Sequence, residues 1–213
     1  MDMKPAPERI SQRLKDQFAP AYLTLTSIIQ GVALSVLAAR VESTNAQFNA
    51  TNWLLAIATF LGILTIWHEY LLQVLMFVWV PTLLDSLVPF AFLAGELFTA
   101  HFVYGSLQAW LLAFAITFVV GMAANILTIT QARKLSAENL DLLRVLAPHN
   151  RILTILILVI MLLFLCASAL YGLLHLDQIQ FIVALFALIT IIVFLGSSIP
   201  RWHQVLVFAR LRS

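Results

Sequence analysis

Charge is scarce in this 213-residue chain, and positive charge is missing from long stretches of it. Only 10% of the residues are charged, against about 25% in an ordinary globular chain. No Lys or Arg lies between Arg40 and Arg133, or between Arg151 and Arg201. The single cysteine, Cys166, excludes an intrachain disulfide and a multi-cysteine metal site. It falls in an apolar run, where a small core side chain is the expectation. There is no glycine-rich phosphate loop and no His-Glu-x-x-His motif. His68 and Glu69 are adjacent, hence about 100° apart on a helix, which suits no shared metal ion. Ser197-Ser198 has no His or Asp at helical spacing. The expectation is a chain without enzymatic activity, metal or cofactor. The few basic residues sit at the edges of apolar runs, which gives no reason to expect a nucleic-acid partner. Residues 1–19 are polar and precede a long apolar run, unlike a cleavable signal peptide.

What the chain does have is apolar surface: 62% of its residues, with mean hydropathy +0.98. A membrane-crossing helix needs about 20 apolar residues. Six runs qualify, roughly 20–41, 52–77, 82–104, 107–131, 151–175 and 179–199. Backbone facing lipid must satisfy its own hydrogen bonds, and these runs are too long for barrel strands. The expected fold is all-α, a polytopic membrane protein with six transmembrane helices. A segment 1–19 precedes a membrane domain 20–200, with a loop at 132–150 and a tail at 201–213. Eleven of the twelve Lys and Arg fall in 1–19, 131–151 and 201–213; the exception is Arg40. The positive-inside bias makes those three segments cytoplasmic and puts both termini inside. A bacterial cytoplasmic membrane is the expected location, and the lipid bilayer the first partner. Trp53, Trp79, Tyr104, Trp110 and Trp202 fall near the predicted interfaces, as aromatic belts do.

Two short helices are expected outside the spans. Ile10, Leu14 and Phe18 recur at spacing four, which suits an amphipathic helix on the inner leaflet. Residues 136–147 read as a second one, capped by Ser136 and closed by Pro148 just past its end. A role in packing at the membrane edge is the ordinary expectation for both; a cytoplasmic protein partner is the functional one.

The chain turns on residues 52–103, where Glu69, Asp85 and Glu96 interrupt an almost unbroken apolar run. The two spans there are joined near Trp79-Val80-Pro81-Thr82, and Pro81 suits the first turn of the following helix. Acids inside a membrane are expensive and call for an explanation. Asp85 and Glu96 are eleven residues apart, which sets them on one helical face, with Pro89 between them as a potential kink. His68 and Glu69 lie near the inner end of the second span, where snorkelling to the interface would suffice. Glu96 lies deeper. A polar partner, a water-filled cavity or a bound proton would reconcile it with its depth. The bland role is fixing helix registry; the functional one is sensing or carrying a proton or cation. His101 is on a different face and would reach Glu96 only across a bend.

Two spans carry small and polar side chains at spacings of three and four. In the first these are Thr24, Ser27, Gly31, Ser35 and Ala38, with Gln30 alongside. In the fourth they are Ala113, Thr117, Gly121, Asn125 and Thr128. Such faces either let helices approach closely, the commoner role, or line water.

In the first three spans, Ile28-Ile29-Gln30-Gly31-Val32-Ala33-Leu34, Trp67-His68 and Leu87-Val88-Pro89-Phe90 stand in a familiar layout. It resembles the bacterial single-repeat members of the endolysosomal-type potassium channels, across roughly residues 20–104. The Phe-Ser-Asp signature of that family is replaced here by Ile28-Ile29-Gln30. Its large apolar gate residues would fall near Ser35, Ala39 and Glu42. The resemblance implies six helices, oligomerisation through the first span and, less directly, conduction of a potassium-like cation. The leading expectation is therefore a homo-oligomeric cation channel, lined by Ser27, Gly31 and Ser35 with Gln30 nearby. The alternatives are a non-conducting scaffold, sensor or accessory subunit, and a proton-coupled carrier using Glu96 and Asp85.

Overall fold

In lipid, only a helix satisfies its backbone within one segment, and every apolar run in this chain is helical. A computed structural model describes residues 6–77, 82–174 and 179–210. The helices are α1 (Ala6–Thr44), α2 (Ala50–Met76), α3 (Leu83–Phe102), α4 (Leu107–Leu135), α5 (Ala137–Leu174) and α6 (Gln180–Arg210), with a 3-10 turn at Asn45–Gln47. Each contains a stretch long and apolar enough to cross a membrane. The protein is an all-helical, polytopic membrane protein with six such helices.

The turns opposite the chain termini are held by named hydrogen bonds. Asn49 and Asn52 cap α2 reciprocally, each side chain accepting the other's backbone N–H at 3.0 and 3.1 Å. The Asn52 amide also donates to the Val103 carbonyl at 2.9 Å, which ties α2 to the end of α3. Arg40 donates to the Tyr104 carbonyl at 2.8 Å and lies over the Tyr104 ring at 5.7 Å. The α3–α4 turn uses Gly105 at φ +140°, a conformation an L side chain rarely adopts. At the other end α3 starts on a capping box between Thr82 and Asp85. The expected turn residues Trp79 and Pro81 lie outside the described residues.

Several expectations need correction. α1 runs unbroken through Pro20, so 6–19 continues the first helix rather than forming a separate one. Ser136 does cap a helix, accepting the Asn139 N–H at 3.0 Å. That helix continues through Pro148 into the fifth span. Leu142, Leu143 and Leu146 pack on Phe77 and Ala132 and hold it in line with the bundle. Proline then merely removes one intrahelical bond. α6 likewise passes Pro200 and reaches Arg210. Cys166 is exposed on the bundle surface, not in the core. Trp110 is fully buried and donates to the Thr59 hydroxyl at 3.0 Å. It is a core residue stacked on Phe114, with ring centroids 4.8 Å apart, not part of an aromatic belt.

The core is densest around Trp110, Phe114, Phe164 and Ile191. α4 packs most broadly on α5 and α3, and α2 on α6; α1 rests on α2 and α3. The α3–α4 approach depends on Gly95, where a Cβ would overlap the Thr117 hydroxyl.

With both termini cytoplasmic, a membrane-impermeant thiol reagent should label Cys at exposed Asn45 only from outside, and at exposed Ala137 only from inside. The background is Cys166→Ser. Labelling of intact cells and of inside-out vesicles checks this; outside access at Ala137 would reverse the orientation.

Candidate functional site

Glu96 is a fully enclosed acidic side chain of α3, with 2% of its surface exposed. Its partner comes from α1: the Gln30 amide donates to Glu96 Oε2 at 3.3 Å. Among the described residues Glu96 Oε1 has no hydrogen-bond partner, nor does the Tyr70 hydroxyl one helix away. Tyr70 is positioned by its ring, edge-on to Phe92 at 5.6 Å and to Tyr22 at 5.8 Å.

Both residues line a partly open cavity of about 90 Å³ between α2, α3, α4, α5 and α6. A water needs about 10–15 Å³ of such space, so the cavity holds several. Its lining runs along α2 from Thr59 to Gln73, roughly 21 Å at 1.5 Å per residue. Most of the wall is apolar, built by Phe92, Phe114, Phe118, Phe194 and Ile191. Polar groups punctuate it. Asn125 donates to the Thr154 hydroxyl at 3.2 Å, and the Gln73 carbonyl accepts from Thr128 at 3.1 Å.

At the end nearer the chain termini the cavity meets Glu69, which is ion-paired with Arg201 of α6. Arg201 is itself 4% exposed. Beside the pair, the His68 and Trp202 rings lie 6.5 Å apart, so two consecutive residues of α2 meet two of α6. Among the described residues no cluster of three His, Cys, Asp or Glu side chains is placed to hold a metal.

The sequence-predicted residues thus divide into three groups. Gln30 and Glu96 meet in the interior, joined by Asn125 in the cavity wall. Glu69 is not a snorkelling interfacial acid, because Arg201 holds it against the bundle. Asp85 is buried on the same face of α3 as Glu96. It is occupied locally: its Oδ2 accepts from the Thr82 N–H and hydroxyl, both at 2.7 Å. Ser27, Gly31 and Ser35 are separated from Gln30: all three face out of the bundle, as do Ala39 and Glu42. Ser35 returns its proton to the Gly31 carbonyl at 2.8 Å, and Ser27 accepts weakly from the Trp67 indole at 3.4 Å. His101 is exposed and plays no part with Glu96. Arg201, Tyr70 and Gln73 were not foreseen. For Arg201 the signal was an arginine directly following the last apolar run, in register with an unexplained acid. Nothing in the sequence singles out Tyr70.

No family model, curated protein or solved structure matches the chain.

Removing one member of a buried ion pair strands the other, which typically costs about 3–5 kcal/mol, whereas replacing both with apolar groups is near neutral. Arg201→Met should therefore destabilise the protein by about 3 kcal/mol, and adding Glu69→Leu should restore most of that loss. Unfolding in detergent micelles measures both; equal stability of the single and double variants would show that a stranded Glu69 carries no penalty.

Proposed function

We propose that the protein is a membrane transport protein, a homo-oligomeric cation channel with α1 at the pore axis. The observation that carries this reading is the sidedness of α1. Its large buried residues, Tyr22, Ile29 and Leu37, pack on α2 and α3. Its small and hydroxyl residues, Thr24, Ser27, Gly31, Ser35 and Ala38, are exposed, alongside Ile28, Val32 and Val36. A Cβ at Gly31 would meet nothing within 4 Å. A glycine in the middle of an exposed helix is destabilising by about 0.5–1 kcal/mol relative to Ala, and close approach by a neighbouring copy is the usual compensation in membranes. Around a symmetry axis this face would offer hydroxyls and backbone to a hydrated ion. The likeness of the segment 28–34, with its signature replaced by Ile28-Ile29-Gln30, and of Trp67-His68 to potassium channel segments points the same way, and Trp67 and Ser27 are neighbours in space.

A second reading is favoured by a different observation. A cavity lined by α2 from Thr59 to Gln73, with Glu96 at its wall and the Glu69–Arg201 pair at one end, suits a proton-coupled carrier. In that reading Glu96 is the coupling group, and Asp85 gives up its expected part to the helix cap.

Because Gly31 has open space around it within one chain, Gly31→Leu should leave the monomer folded and disrupt its assembly in native mass spectrometry. Ser35→Leu should lower potassium flux into liposomes by about tenfold or more, by drying a polar path. Unchanged assembly in Gly31→Leu removes the α1 axis. Flux that survives Ser35→Leu but fails in Glu96→Gln favours the carrier. No flux of any cation in the wild-type protein favours a scaffold or accessory subunit.

A further inference from the structure

We propose that the cavity beside Glu96 is a binding site for a small hydrophobic ammonium ion, separate from any path along α1. Three observations meet there. The first is a pair of unpartnered polar side chains. Glu96 and Tyr70 both line the cavity, and Glu96 Oε1 and the Tyr70 hydroxyl are buried with no hydrogen-bond partner among the described residues. Buried polar atoms without partners are uncommon and costly, and an ammonium head supplies N–H donors to two acceptors at once.

The second is charge. The acids of the lining are Glu69 and Glu96, and no Lys, Arg or His is among the lining residues. Arg201 neutralises Glu69 from the side. An ionised Glu96 leaves one negative charge, which suits a monovalent cation and opposes an anion.

The third is the wall. Phe92, Phe114, Phe118 and Phe194 surround most of the space. Phe118 lies 5.4 Å from Phe114 and 5.8 Å, edge-on, from Phe194, ring centroid to ring centroid. Ring faces attract organic cations, and their bulk takes up hydrocarbon. A bare alkali ion needs a shell of oxygens to replace its water. The oxygens of the lining are few and scattered among Thr59, Thr99, Thr117, Asn125 and Glu96, and most of the wall between them is apolar. The space of about 90 Å³ suits a one-ring or short-chain amine.

The test titrates benzylammonium chloride into the full chain in lipid nanodiscs, with empty nanodiscs subtracted. Benzyl alcohol serves as the neutral isostere and potassium chloride as the inorganic competitor. Saturable calorimetric binding is expected, weakened about tenfold or more both in the neutral isostere and in Glu96→Gln, as loss of a buried charge partner requires. Gly121→Leu keeps Glu96 and fills the space beside Phe92, whose ring lies 3.7 Å from where a Cβ would stand. It should abolish binding, and it decides the matter if Glu96→Gln fails to fold. Equal affinity for benzyl alcohol would reveal only an apolar void. Displacement by equimolar potassium would reveal an inorganic-ion site. Either result, unchanged affinity in Gly121→Leu or in a folded Glu96→Gln, or no saturable binding, overturns the proposal.

Discussion

An acid in hydrocarbon must be enclosed by protein, and the arrangement of this bundle follows from enclosing two of them. Glu96 draws α1 onto α3 through Gln30. Glu69 draws α6 onto α2 through Arg201. Apolar packing alone would not choose between these pairings, because lipid tails are as apolar as the helices they would replace. Polar contacts and close approach between small residues make the choice. Gly95 against Thr117 is the clearest instance of close approach, and it sets the distance between α3 and α4.

The same economy separates the two polar stripes. On α4, Thr117, Gly121 and Asn125 turn inward and form one wall of the cavity. On α1, Ser27, Gly31 and Ser35 turn outward. The interior has a site with unsatisfied acceptors; the outward face has hydroxyls already satisfied and room for a neighbour. The proposed channel, with α1 on a symmetry axis, would use both, with assembly on one side of Gln30 and a buried acid on the other.

Helix number, span positions and the presence of a buried acid were legible in the sequence, since each follows from the expense of polar groups in lipid. Direction was not. Spacing of three and four says that Thr24, Ser27 and Gly31 share a face, and equally that Ala113, Thr117 and Gly121 do. It does not say which face looks inward, because that depends on the helices alongside. Trp110 shows the same limit: its place near a predicted interface suggested a belt, while Thr59 on another helix supplied the acceptor that let it be buried. Arg201 was read as one more inside cation because charge counting treats every arginine alike. Pro148 suggested a boundary, yet packing by Leu146 carries α5 past it.

The Glu69–Arg201 pair joins residues 132 apart in sequence. At about 5–20 residues per second, Arg201 leaves the ribosome roughly 7–26 s after Glu69. Gln30 by contrast is already in place when Glu96 emerges 66 residues later. The first three helices can therefore close around their own carboxylate during synthesis. The second helix cannot: for most of the chain's elongation its acid must be served by water, a proton or another protein. Insertion of α6 is then the step that supplies the permanent partner, and a chain cut short before residue 201 leaves Glu69 without its arginine.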